Sequence, residues 1–156
     1  MKDLTVAITS FQRPAFLVQA IESCLAAKIE RIVVFSMCPD PAIMAVAARF
    51  AKVPGLDFEY HSLPVDLGCN EIWLQAAYRA KTPHLILLHD DDTLAPEFAG
   101  VWKSVIKPTL HAGRAGFATW NGQVVREDGS KFLCDYLNRP TGIYPSAVLK
   151  KYVSQK

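Results

Sequence analysis

Three carboxylates stand in a row in LILLHDDDTLAP: Asp90, Asp91 and Asp92, shortly after an apolar run that ends at Leu88. Like charges this close repel and resist joint ionisation, so something positive belongs among them. Asp90 and Asp92 lie two residues apart, and in an extended segment both side chains point the same way. That spacing suits one hard divalent cation held by oxygen ligands, with positions left open for phosphate oxygens and water. Such a cation, bridging a diphosphate, would neutralise charge on a leaving group. The structural alternative is an aspartate capping the helix expected near Pro96, or a solvated acidic loop.

The strand before the aspartates, HLILLH, is apolar on both faces, as a central parallel strand should be. Earlier in the chain, LTVAIT is β-branched and apolar, and it runs through SFQRP to Pro14 at a first helical position. Leu17, Ala20, Ile21, Cys24 and Leu25 then recur at helical spacing. RIVVF is a second buried strand, SMCPDP a loop, and Pro41 opens an Ala-rich helix. LDFEYHSL reads as a third strand and PVDLG as its loop. NEIWLQAAYRA follows as a helix, with Asn70 at its N-cap and Trp73, Ala76, Ala77 and Ala80 facing inward. After the aspartates, Pro96 starts a helix with an apolar stripe of Phe98, Val101, Trp102, Val105 and Ile106.

Alternating strands and helices predict an α/β fold, a mostly parallel sheet with helices on both faces. From Ala115 the character changes: GFATW, QVVRE and KFLCDY are short strand-like runs parted by the turn signals NG and DGS. They predict a small antiparallel hairpin addition near the C-terminus, and YPSAVLKKYV a short terminal helix. The expectation is one domain over 1–156, with a βα part over 1–114 and an antiparallel part over 115–156.

Composition agrees with a single globular domain: 156 residues, 51% hydrophobic, 21% charged and a formal net charge of +2. The basic residues are scattered, which argues against a nucleic-acid partner or an anionic lipid surface. Cys24, Cys38, Cys69 and Cys134 form no CxxC pair and read as separate buried thiols, which points to a reduced, cytoplasmic setting. Asp3, Thr5, Thr9 and Ser10 interrupt any export signal, and no apolar stretch approaches the roughly 20 residues that span a bilayer.

Four loops, TSFQRP, SMCPDP, PVDLGCN and HDDDT, converge on the carboxyl edge of such a sheet, where open α/β sheets bind ligands. At this point the chain resembles the inverting family 2 glycosyltransferases of the GT-A, nucleotide-sugar-binding fold. VAITSFQRPAFLVQAIESCL resembles their opening strand and helix, and DLGCNEIWLQAAYRAKTPHLILLHDDDTLAPEF their central stretch with its Asp-x-Asp motif. GFATWNGQVVREDGS is similar to the hairpin that follows, and PTGIYPSAVLKK to the segment leading to the acceptor side.

The resemblance implies transfer of a sugar from a nucleoside diphosphate donor, a UDP-sugar, to an acceptor hydroxyl with inversion. It places Thr9, Phe11 and Arg13 along the nucleotide, with Arg13 near base or phosphate, and Asp66, Gly68 and Asn70 beside it. Ser36 stands at the end of the second strand, where the family usually has a base-reading Asp; Asp40 comes only later. Asp90 and Asp91 fall in the donor site, Asp90 facing ribose or sugar. Asp92, with Asp90, is implied as the ligand of Mn²⁺ or Mg²⁺. A register shifted by one makes His89 and Asp91 the outer pair instead. His89 has the alternative role of a strand-end histidine bonded to backbone.

Glu71 replaces a basic residue common after the Asn-Leu-Gly-like loop. Relative to the family, the chain reads as a short form lacking the acidic segment that supplies the catalytic base. That base takes the acceptor proton in inverting transfer, and no residue is assigned to it. Glu127 and Asp128 in REDGS match a hairpin turn, Asp135 is a weaker candidate, and Trp120 reads as packing or as a sugar platform. A haloacid-dehalogenase-type phosphatase and a response-regulator receiver are disfavoured, because here the acidic cluster follows the fourth strand. The rival from another class is a GT-A domain that binds nucleotide or nucleotide-sugar without turnover, or that needs a second copy or a partner chain to complete its site.

Overall fold

The computed structural model describes residues 1–64, 68–110, 122–126 and 128–134. They fall into two compact units, Met1–Trp102 and Lys103–Lys156.

In the first unit β1 (Leu4–Ser10), β2 (Arg31–Met37), β3 (Asp57–Leu63) and β4 (His84–His89) form one sheet of order β3-β2-β1-β4. All three pairings are parallel, with Ala7 beside Val33 and Leu87. The two central strands are the most apolar and the most buried: Leu4, Val6, Ile8, Ile32, Val34 and Phe35 are fully enclosed. This is the pattern of a parallel sheet covered on both faces.

Helix α1 (Pro14–Ala26) and helix α2 (Pro41–Phe50) each begin with a proline at the first helical turn, where its missing N–H costs nothing. Asp40 caps α2 by accepting the Ala42 N–H at 2.8 Å. Right-handed crossovers put α1 and α2 on one face, and α3 (Gly68–Arg79), which returns the chain from β3 to β4, on the other. There Ile72 and Ala76 pack on Ala7, Val33 and Phe35. The helix therefore buries Ile72 and Ala76, leaving Trp73 half-buried and Ala77 exposed. It starts at Gly68, two residues before the expected cap at Asn70.

The helix after the aspartates also departs from its sequence pattern. It begins at Phe98 (α4, Phe98–Val101), widens into a π-helical stretch over Trp102–Ile106, and ends as α5 (Lys107–Leu110). Pro108 has no N–H to return to the preceding turn, and the wider turn lies directly ahead of it. Phe98 and Trp102 are buried, stacked at 6.2 Å, and Trp102 meets His84 edge-on at 5.0 Å. Val101 and Val105 are exposed, so the apolar stripe expected through them is not buried along its length.

In the second unit β5 (Gly122–Val125) and β6 (Lys131–Cys134) pair antiparallel, as the turn signals between QVVRE and KFLCDY indicate. Gly129 takes the left-handed conformation in the connecting turn. Asp128 accepts the Ser130 N–H at 2.8 Å there, which makes it a turn residue. GFATW and YPSAVLKKYV lie outside the described residues.

An ionic network closes the opposite, amino-terminal edge. Arg31 is nearly buried at the start of β2 and pairs with Asp57 and, at 2.8 Å, with Glu59, which Lys81 also contacts. Hydrogen bonds from Lys81 and Arg31 hold the Glu59 carboxyl at about 2. Its folded value lies below its unfolded one, so this stabilisation is present above the ordinary glutamate range and is lost as pH falls towards 2. Glu59→Gln should flatten the acid limb of stability, removing about 1 kcal/mol of its pH dependence after solvent screening. Urea unfolding of both proteins at mildly and strongly acid pH checks this.

Cys24 is buried and free, its thiol pushed up to about 12 by burial. Cys38 is free but only half-buried, so it departs from the expected set of buried thiols. Among the described residues no helix is long and apolar enough to cross a membrane.

Candidate functional site

The candidate site forms where the chain order reverses in the sheet, outside the carboxyl ends of the neighbours β1 and β4. Beyond β1, Gln12 adopts a left-handed conformation with φ of 54°, bending the loop into α1. Arg13 occupies the N-cap of α1, yet its side chain makes no cap bond. It crosses to β4 instead: Nη2 pairs with Asp90 Oδ1, and Nη1 donates to Asp91 Oδ2 at 2.7 Å. The other Asp90 oxygen accepts the Phe11 N–H at 3.4 Å. The Asp90 side chain is completely buried, whereas Arg13 is 41% exposed. The positive partner demanded by the acidic triplet is therefore Arg13.

The aspartates do not lie on an extended segment. The Asp92 N–H donates to the His89 carbonyl at 3.1 Å, closing a turn with Asp90 and Asp91 at its corners. Asp90 and Asp92 consequently differ in setting, one buried and the other exposed. Two anchors hold the turn. The Asp90 N–H donates to the Thr9 carbonyl at 3.0 Å, and the Leu94 N–H donates to Ser23 Oγ of α1 at 3.0 Å, with the Leu94 side chain buried. Ser23, a hydroxyl beside the apolar stripe of α1, had no assigned role from sequence; its signal was a polar residue next to buried Cys24.

His89 bonds through Nδ1 to Thr9 Oγ1 at 3.1 Å and meets Trp73 edge-on at 5.8 Å. Its ring partner is thus the Thr9 side chain, where a backbone partner was the structural expectation.

One guanidinium faces three carboxylates. Burial works against the Arg13 charge, but Asp90 and Asp91 outweigh it and raise its pKa further. Desolvation and then the like charge of Asp91 raise the Asp92 pKa, against the opposing pull of His89 and Arg13. Among the described residues Asp92 has no ion pair, so the turn keeps uncompensated negative charge.

Among the described residues no three His, Cys, Asp or Glu side chains converge on a metal position. The donor set still fits Mg²⁺ or Mn²⁺ in the mode these ions use with nucleotides, one or two carboxylates plus substrate phosphates. Asp92 and the second oxygen of Asp91 suit that mode. Both Asp90 oxygens are already engaged, by Arg13 and by Phe11 N–H.

The remaining residues singled out from sequence are placed as follows. Thr9, Phe11 and Arg13 lie beside the turn. Ser36 is buried at the end of β2, and its hydroxyl shares a 2.8 Å hydrogen bond with the Tyr60 hydroxyl. Asp40 caps α2, and Glu71 accepts from Gln75 Nε2 at 3.0 Å. Gly68 opens α3 with φ of 75° and Asn70 lies in its first turn. Asp66, Trp120, Glu127 and Asp135 lie outside the described residues, as do the side chains of Cys69, Asn70 and Cys134.

A parallel four-stranded sheet with flanking helices, together with a small antiparallel hairpin, defines an α/β fold of the GT-A-like type. Two crystal structures of S. aureus TarS share it. "S. aureus TarS 1-349" matches with a TM-score of 0.59 and 17% identity over 70% of this chain and 33% of that one. A second TarS structure matches with the same TM-score and identity, over 70% of this chain and 20% of that one. The chain thus spans a third or less of the structures it resembles. No protein-family model and no curated protein matches the sequence.

Proposed function

We propose that the domain binds a nucleoside diphosphate-sugar, specifically a UDP-sugar, at the β1–β4 edge and transfers the sugar to an acceptor hydroxyl with inversion. The observation that carries this is the junction of Arg13 with the Asp90–Asp92 turn at the carboxyl edge of a GT-A-like sheet. In this reading Thr9 and Ser36 from the first two strands, Phe11 and Arg13 from the loop between β1 and α1, and Asp66, Gly68 and Asn70 from the β3–α3 connection and the first turn of α3 receive the nucleotide. Arg13 meets phosphate, for which its planar fork is suited. Asp90 and Asp91 position ribose and sugar, and Asp92 holds Mn²⁺ or Mg²⁺, with Asp91 beside it in place of the Asp90 expected from sequence, whose oxygens are engaged by Arg13 and the Phe11 N–H. A bound cation of this kind supplies neutralisation of charge developing on the departing diphosphate.

The acceptor oxygen attacks the anomeric carbon, the bond from that carbon to the diphosphate oxygen breaks, and the acceptor proton passes to a carboxylate base. In this reading that base comes from the acceptor side, from this chain, a second copy or a partner.

Calorimetric titration of UDP, GDP, CDP, ADP and dTDP, each with and without Mn²⁺, tests the proposal. UDP should bind, and bind more tightly with Mn²⁺. Binding of none of the five contradicts a donor site. Binding of UDP with no hydrolysis or transfer from any UDP-sugar selects the non-catalytic reading of the same site.

A further inference from the structure

Arg13 joins the acidic turn from far away in the chain, 77 residues before Asp90 and 78 before Asp91, and uses both ends of its guanidinium to do so. A planar fork spanning two carboxylates is a cation already in place. A divalent ion arriving alone meets Asp92 and one oxygen of Asp91, in a field that Arg13 has partly neutralised. To gain more it must displace the guanidinium. The two halves of the clamp differ in freedom: Asp90 is enclosed and holds one arm, while the arm on Asp91 lies at the surface and can turn to solvent without uncovering a buried charge. A diphosphate is the ligand class whose charge and oxygen spacing compete for the same fork.

We infer that Arg13 is the internal counter-cation of this turn and keeps its exposed carboxylates from a divalent ion until a polyanionic ligand draws the guanidinium arm on Asp91 to phosphate, the other arm staying on Asp90. Nucleotide and metal then enter in that order. The inference rests on the donor-site reading above and adds its regulation: metal affinity is set by where Arg13 points.

The test uses Mn²⁺ alone as the probe, its free fraction read by electron paramagnetic resonance, with wild type, Arg13→Gln and Arg13→Lys. Arg13→Gln should bind Mn²⁺ about tenfold more tightly than wild type, since a guanidinium in hydrogen-bond contact with Asp91 is removed. Arg13→Lys should gain less: its ammonium still neutralises buried Asp90, so the fold is kept, but a point charge does not span both carboxylates. Added UDP should tighten Mn²⁺ binding more in wild type than in Arg13→Gln, where there is no guanidinium to displace.

Unchanged or weaker Mn²⁺ binding in both folded variants overturns the inference. The donor reading is judged separately, by UDP binding to wild type. UDP binding without a gain for Arg13→Gln removes the gating role and leaves the donor site. A gain for Arg13→Gln without UDP binding supports the counter-cation role and removes the donor reading.

Discussion

Arg13→Ala should destabilise the first unit by about 2–4 kcal/mol, because it leaves a buried carboxylate without its counter-charge. Asp90 is the reason: its side chain is completely enclosed and retains only the long Phe11 N–H bond once Arg13 is gone. The figure sits below the full cost for a wholly buried pair, since Arg13 itself is 41% exposed and screened by solvent. Asp91, the exposed partner, adds little. The check is a double-mutant cycle by urea unfolding. Asp90→Asn in the Arg13→Ala background should recover most of the loss, because an amide needs no counter-ion and still accepts from Phe11. A loss under about 0.5 kcal/mol for Arg13→Ala would class the clamp with ordinary surface pairs.

Asp92→Asn should behave in the opposite way, leaving stability within about 0.5 kcal/mol while removing the metal-dependent part of UDP affinity. The side chain is exposed and has no ion pair among the described residues, so the fold does not depend on its charge. Its raised pKa, from desolvation and then from Asp91, marks a carboxylate short of positive charge. Loss of its ligand oxygen should weaken UDP binding in Mn²⁺ by roughly a hundredfold, the cost of a direct ligand together with the phosphate bridge that depends on it. Binding without metal should change little. Equal UDP affinity for wild type and Asp92→Asn in Mn²⁺ would remove Asp92 from the cation position.

The sheet was legible because its strands carry their burial in their composition. LTVAIT and RIVVF are apolar and buried on both faces, and prolines mark the starts of α1 and α2; HLILLH, expected as a central strand, lies at the sheet edge among the described residues, with Leu87 exposed. The GT-A-like architecture therefore follows from local signals repeated in the right order. The geometry of the acidic turn was not legible. Two-residue spacing gives parallel side chains only on an extended chain, and the Asp92 N–H bond to His89 folds that segment into a corner.

The identity of the positive partner was half legible. Repulsion among three aspartates requires a cation, but only the β1–β4 pairing in register brings the loop carrying Arg13 beside it. Arg31 and its acidic partners were missed for a similar reason. In sequence Arg31 merely precedes an apolar run, and Asp57 and Glu59 face it only once β2 and β3 pair. The stripe expected through Val101 and Val105 assumed one regular helix, and from Trp102 to Ile106 the helix is π instead.

The central claim is that a nucleotide and its metal meet at the turn between Arg13 and Asp92. Anomalous diffraction from crystals of the protein grown with UDP and Mn²⁺ tests it most directly. The account predicts one manganese peak in contact with Asp92, bridged to the diphosphate, with the Arg13 guanidinium turned from Asp91 to phosphate. UDP bound away from the β1–β4 edge, or manganese at a position that excludes Asp92, would contradict it.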